Sequence, residues 1–180
     1  MASRNKILGA LTRLFTPART ASAPAPSRTV AGRAGVEIIG RGGASATVEI
    51  DPPAPDGLRI GYAPDADGDP DAGEIIWTWV PYAENDGRGK DRPVLVIGRQ
   101  DAARVYAVRL TSKSHDGDRD FLAIGTGPWD LRGRPSWVDV DQLYSVHADG
   151  MRREASALDR ARFARVADAL HERYGWAVAE

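Results

Sequence analysis

From residue 74 onward the apolar positions come in short runs at 74–80, 93–99, 104–111, 121–124, 136–141 and 142–147, most of them separated by Gly, Pro or Asp. Runs of this length bounded by turn residues predict β-strands. Their spacing suits a small barrel or a strongly bent sheet rather than alternating strand-helix units. In the first run Trp77 and Trp79 flank Thr78 and so share one face of the strand. They are expected to fill the core, with stacking on nucleic-acid bases as the other use of such rings. Near the end the period changes: Leu158, Phe163, Val166, Ala167, Leu170 and Tyr174 recur mostly at spacings of three and four. That pattern predicts one amphipathic helix, packed on the sheet with Arg160, Arg162, Arg165 and Glu172 toward water. Ser156 is the expected N-cap, Asp159 three positions on gives a capping-box-like start, and Gly175 is the stop.

Upstream the pattern is different. Between residues 16 and 72 there are few large apolar side chains, and charge falls into two blocks. Residues 1–41 hold seven Lys or Arg against Glu37, and residues 42–73 hold seven Asp or Glu against Arg59. Blocks of this composition bury too little apolar surface to offset chain entropy, so residues 1–72 are expected to form a largely disordered extension, with a short strand at 46–50. The folded unit is expected at 73–180. Within the extension, residues 5–15 place Ile7, Leu8, Leu11, Leu14 and Phe15 on one helical face. Such a helix could dock on a partner or a surface, or simply fray when isolated. Arg13 interrupts the apolar region, which argues against a secretory signal. No run approaches the ~20 apolar residues of a membrane-spanning helix, so no membrane association is expected. The acidic run at 65–71 fails as a calcium loop, since Pro70 and Ile76 stand where an EF-hand needs glycine and the terminal acid.

Composition then narrows the chemistry. The 180 residues include no cysteine, which excludes disulfides, thiol nucleophiles and thiolate metal sites. Net charge is −1, so any nucleic-acid footprint must be local. One local excess exists: residues 87–119 carry eight Lys or Arg against four Asp. It could track a phosphate backbone or serve only as solubilising charge.

The strand ends carry the candidate chemistry. A polar, glycine-broken loop at 81–91 leads into Arg92-Pro93, and the third run ends at Thr111-Ser112-Lys113-Ser114-His115. Charged and hydroxyl groups at the ends of rigid strands can be held in fixed geometry. Four pieces stand in order: Gly73-Glu74-Ile75-Ile76-Trp77, then Gly89-Lys90-Asp91-Arg92-Pro93-Val94-Leu95-Val96, then Leu110-Thr111-Ser112, then Asp141-Gln142-Leu143 ahead of the closing helix. In order and approximate spacing, over roughly the last hundred residues, this resembles the MazF/PemK family of toxin endoribonucleases.

The resemblance implies an α+β, mainly β fold: an SH3-like barrel with a C-terminal helix, usually dimeric and cytoplasmic. It also implies cleavage of single-stranded RNA at short motifs without metal or organic cofactor, inhibition by a cognate antitoxin, and DNA binding by the toxin-antitoxin complex. The residues it ties to cleavage map to Arg92 and Thr111. The glutamate that the family often carries five positions ahead of the arginine is here Gly87, and the nearest acids are Glu84, Asp86 and Asp91.

The residue chemistry agrees with that assignment. RNA cleavage without a metal needs a base for the ribose 2′-hydroxyl, a cation for the phosphoryl oxygens and an acid for the departing oxygen, and positioned acid-base groups each give about 10²–10⁴ in rate. Arg92 suits the phosphoryl role because its fork of donors stays protonated. Thr111 suits a positioning hydrogen bond. Glu84, Asp86 and His115 remain open for proton transfer, and Arg88, Lys90, Ser112, Lys113 and His115 are the candidates for RNA contact. The reading from a different class is an inactive SH3-like module that binds nucleic acid or protein, its activity lost with the replacement at Gly87.

Overall fold

The computed structural model of the chain describes residues 39–65, 69–82, 84 and 86–179; the expected helix at 5–15 lies outside the described residues. In chain order the elements are β1 (Val48–Ile50), β2 (Arg59–Ile60), β3 (Glu74–Pro81), β4 (Gly89–Arg99), β5 (Arg104–Thr111), β6 (Phe121–Gly125), β7 (Ser136–His147), β8 (Met151–Ala157), α1 (Arg160–Tyr174) and β9 (Ala177–Val178). Among the described residues no helix is long and apolar enough to cross a membrane.

Seven strands form one antiparallel sheet in the order β1-β7-β5-β4-β3-β8, with β6 also paired to β7. β6 takes the first part of β7 and β1 takes Leu143 to Ser145, both on the flank opposite β5. The sheet is open, with β1, β6 and β8 as its edge strands. What draws the ends together is a hydroxyl relay rather than a ladder. Thr78 Oγ1 donates to Gly150 O at 2.8 Å, so its contact with Thr47 Oγ1 at 2.7 Å must be donated by Thr47, and both threonines are buried.

Both faces of the bent sheet are covered, which explains why β4 reads Val94-Leu95-Val96-Ile97 instead of alternating with polar residues. Leu95 and Ile97 face α1, with Phe163, Val166 and Leu170 of the helix. Val94 and Val96 point the other way, into a second cluster with Ile76, Val80, Ala107, Tyr144 and Val146.

Residues 39–62 belong to this architecture despite their sparse apolar content. Leu58 and Ile60 are buried in the helix-side core. β2 pairs in parallel with β9, the indole of the fully buried Trp176 donates to Pro53 O at 3.0 Å, and Tyr62 donates to Leu158 O at 2.9 Å. A few side chains that are each completely buried suffice here, a condition that average composition does not register.

Three local expectations change. The helix starts at Arg160 with Asp159 as N-cap, its carboxylate accepting from Arg162 N at 3.0 Å, and not at Ser156. Ser156 is instead paired with Ile75 in β8, because the polar stretch Met151–Ala157 completes the sheet beside β3. The runs at 136–141 and 142–147 are one strand, β7, whose register against β5 shifts between Val108 and Leu110. Asp139 Oδ1 stabilises that irregularity by accepting from Asp141 N (3.0 Å) and Gln142 N (3.2 Å). Finally, Trp77 and Trp79 are only half-buried, while the neighbours on the opposite face, Ile76, Thr78 and Val80, are sealed. The helix ends as expected at Gly175, whose φ of +75° is the left-handed cap conformation that glycine adopts without strain.

Candidate active site

β4 and β5 pair with Val94 opposite Arg109, and continuing that antiparallel register by two residues sets Arg92 across from Thr111. Both side chains line one recess of about 200 Å³, together with Lys90, Ser112, Trp77, Asp130 and Arg134. The wall beyond β5 comes from the loop after β6. There Gly127 lies against the Trp129 ring, so closely that a Cβ on Gly127 would fall 2.0 Å from it. The ring in turn donates to Ser136 Oγ at 3.0 Å.

Arg92 also lines a second recess of about 370 Å³, with Tyr82, Glu84, Arg88, Arg109, Gln142 and Tyr144. Of its three arginines, Arg109 and Arg92 are held differently. Arg109 is clamped by Asp139, Nε to Oδ2 at 2.8 Å and Nη2 to Oδ2 at 2.6 Å, and the Asp139 side chain is only 2% exposed. With its other oxygen bonding two backbone amides, that carboxylate is fully occupied. Arg92 is half-buried, and among the described residues its buried Nε has no hydrogen-bond partner. A buried guanidinium without a carboxylate is costly unless something anionic joins it.

The electrostatics follow. Burial first, and the charge of Arg109 second, hold Arg92 below its ordinary value, against an opposing pull from Tyr144, Tyr82 and Asp139. Lys90 is lowered first by Arg92, then by burial, Arg109 and Arg134. The groove thus gathers cations that repel one another, and an anion would relieve all of them. Asp130, in the first recess, is held below its usual range chiefly by the hydrogen bond from Arg134. That makes it a poor proton acceptor. Thr111 Oγ1 accepts from Lys113 N at 3.2 Å, which leaves its O–H to donate. Among the described residues no group of three or more His, Asp or Glu is placed to hold a metal ion.

The residues singled out in the sequence divide accordingly. Arg92, Thr111, Lys90 and Ser112 meet in the first recess, and Glu84 and Arg88 join Arg92 in the second. Asp86 holds the Arg88 guanidinium at 2.5 Å instead of lining either recess. Lys113 lines neither, nor does His115, which stacks on Phe121 with centroids 3.5 Å apart and has Nδ1 3.3 Å from Asp118 Oδ2. Arg109, Asp139 and Tyr144 escaped the sequence reading. The available signal was one charge of each sign inside otherwise apolar strands, AVRL and WVDV.

Tyr144 donates to Gln142 Oε1 at 3.1 Å, and burial pushes its phenol up to about 12, with Arg109 opposing and Glu49 and Asp139 adding to the rise. Folding therefore favours the neutral phenol. The stability this contributes is complete below the ordinary phenol range and lost as pH rises toward about 12. In thermal melts, Tyr144→Phe should flatten the fall of Tm between about pH 10 and about 12 relative to the parent chain.

Comparison with known proteins adds the following. The family model described as PemK-like, MazF-like toxin of type II toxin-antitoxin system matches residues 71–173. No curated protein matches the chain. Among solved structures, an endoribonuclease in complex with its cognate antitoxin from a mycobacterial species is 20% identical, covering 58% of this chain and 93% of that one, with TM-score 0.44. MazF (Form-I) from Deinococcus radiodurans is 25% identical, covering 59% of this chain and 96% of that one, with TM-score 0.45.

Proposed function

The chain belongs to the family of PemK-like, MazF-like toxins of type II toxin-antitoxin systems, and from that premise we propose that it is a sequence-selective endoribonuclease acting on single-stranded RNA without a metal ion. The observation that carries this reading is the half-buried Arg92, whose Nε has no partner among the described residues, beside the Thr111 hydroxyl in one groove.

In this reading the scissile phosphate sits against Arg92, whose donor fork matches two phosphoryl oxygens and stays charged through the reaction. Thr111 donates to the same phosphate or to the ribose. Glu84, the carboxylate lining the second recess with Arg92, takes the proton of the 2′-hydroxyl. The 2′-oxygen then bonds to phosphorus, the bond to the 5′-oxygen breaks, and that oxygen is protonated from solvent. The products are a 2′,3′-cyclic phosphate and a 5′-hydroxyl. Lys90 adds fixed positive charge beside Arg92, and Arg109 and Arg134, each paired with an aspartate, add less. A cognate antitoxin would compete by laying an acidic segment in the same cationic groove, and a homodimer is the assembly this reading expects.

The test uses the full-length chain, a long single-stranded RNA and excess chelator. Discrete fragments ending in cyclic phosphate are expected, and a single 2′-deoxyribose at a cut site should abolish cleavage there. Continued cutting at the deoxy position would exclude 2′-hydroxyl attack. Bound but intact RNA would instead favour the non-catalytic module.

A further inference from the structure

A third recess of about 260 Å³ adjoins the second, sharing Pro81 and Arg88 with it. Part of its wall is made by residues 41 and 46–49, which precede the matched region 71–173. Its floor is rigid, because Thr47 is buried and tied to Thr78 by the hydroxyl relay.

Three kinds of group meet there. The first is an aromatic face: the half-buried Trp79 ring has the Arg41 guanidinium 5.3 Å from its centroid. A flat base has the same approach open to it, since Arg41 is exposed and, among the described residues, its guanidinium is held by a hydrogen bond from Nη2 to Gly87 O at 3.3 Å. The second is cationic: Arg41 and Arg88 both line the recess. The third is Glu49, which lines the same recess and which β1 pairs with Tyr144, a residue of the adjoining second recess. Burial raises the Glu49 pKa, with Arg109 opposing and Asp139 and Asp141 adding, so this carboxylate gains from a donated hydrogen bond.

These groups discriminate among ligands. A phosphate alone gains nothing from Glu49 or the indole, an acidic peptide is repelled by Glu49, and a basic one by the two arginines. A nucleotide satisfies all three, stacking its base, pairing its phosphate with an arginine and offering an N–H to the carboxylate. The volume is below the ~300–1,000 Å³ of pockets that enclose a drug-sized ligand, which suits one ring system.

We propose that this recess is a nucleobase subsite in which one base of the bound RNA stacks on Trp79 and donates an exocyclic amino N–H to Glu49, favouring amino-bearing bases over uracil. Uracil presents carbonyl oxygens where the carboxylate needs a donor. The subsite rests on the reading of the Arg92 groove as an RNA site, and its test separates the two.

The full-length chain is titrated with cytidine 5′-monophosphate and with uridine 5′-monophosphate, following the Trp79 indole N–H resonance, assigned through Trp79→Phe. Cytidine monophosphate should bind at least about tenfold more tightly, Glu49→Gln should bring the two within about twofold, and Trp79→Ala should remove the response. In parallel, cut sites in a randomised RNA pool should show one position that disfavours uracil in the parent and not in Glu49→Gln. Equal affinities, or a Trp79 resonance that does not move, would overturn the subsite whether or not RNA is cut. Uncut RNA together with cytidine selectivity would retain the subsite and sink the endoribonuclease reading alone.

Discussion

Replacing Arg92 by alanine is expected to lower RNA cleavage by about 10²–10³, the usual cost of removing one preorganised donor aimed at developing charge. The same change should leave Tm unchanged or raise it. Both outcomes come from one geometry: Arg92 is half-buried, its Nε has no partner among the described residues, and the Arg109 charge beside it is unfavourable. Removing the guanidinium deletes a desolvated, repelled cation from the folded state, which offsets the packing lost with its stem. Arg92→Lys separates charge from shape. It keeps the cation and loses the two-point fork, so it should recover only part of the rate. Single-turnover cleavage and differential scanning calorimetry on the same preparations decide the matter. A variant that loses activity only because its Tm has collapsed would show that Arg92 holds the fold, and the catalytic assignment would fail.

The largest stability effect is expected at Trp176. Its side chain is fully buried, its ring stacks on Tyr174 with centroids 4.4 Å apart, and its N–H reaches Pro53 O at 3.0 Å. Trp176→Ala should cost about 3–5 kcal/mol, from lost transfer energy and the cavity left behind. For a chain of this size that corresponds to a Tm lower by about 10 °C or more. Trp176→Phe should cost distinctly less, since it keeps most of the volume and gives up the hydrogen bond to residue 53. Urea titrations of the three proteins give the comparison. A loss below about 1 kcal/mol for the alanine variant would mean that the segment around Pro53 is not docked against the helix end in solution.

How much of this was legible in the sequence depended on the range of the interactions. The strands were readable because β-runs and turn residues are local signals, and Thr111 ends β5 as expected, whereas Arg92, expected just ahead of its strand, lies inside β4 and pairs with Thr78. The cap at Asp159 was misplaced to Ser156 because β8 is built from the polar stretch Met151–Ala157, whose only reason to be a strand is the edge of β3. Arg109 and Asp139 form an ion pair thirty residues apart in sequence, fixed by the β5–β7 register. No window along the chain contains that fact. Leu58, Ile60 and Thr47 sit in a stretch whose average composition predicts disorder, yet each is buried. Averages over a window lose the few positions that decide whether a segment docks. Trp77 and Trp79 show the same limit from the other side. Alternation paired them on one face correctly, but which face the recesses would open on is a property of the bent sheet.

Among the described residues, Arg92 alone lines both the first and the second recess. Scission at a phosphate held there would leave the upstream fragment in one depression and the downstream fragment in the other. Each would keep only part of the contacts that the uncut strand enjoyed. Dissociation of products should then be fast compared with escape of the intact strand, so turnover would be governed by the bond-breaking step and spent fragments would inhibit weakly.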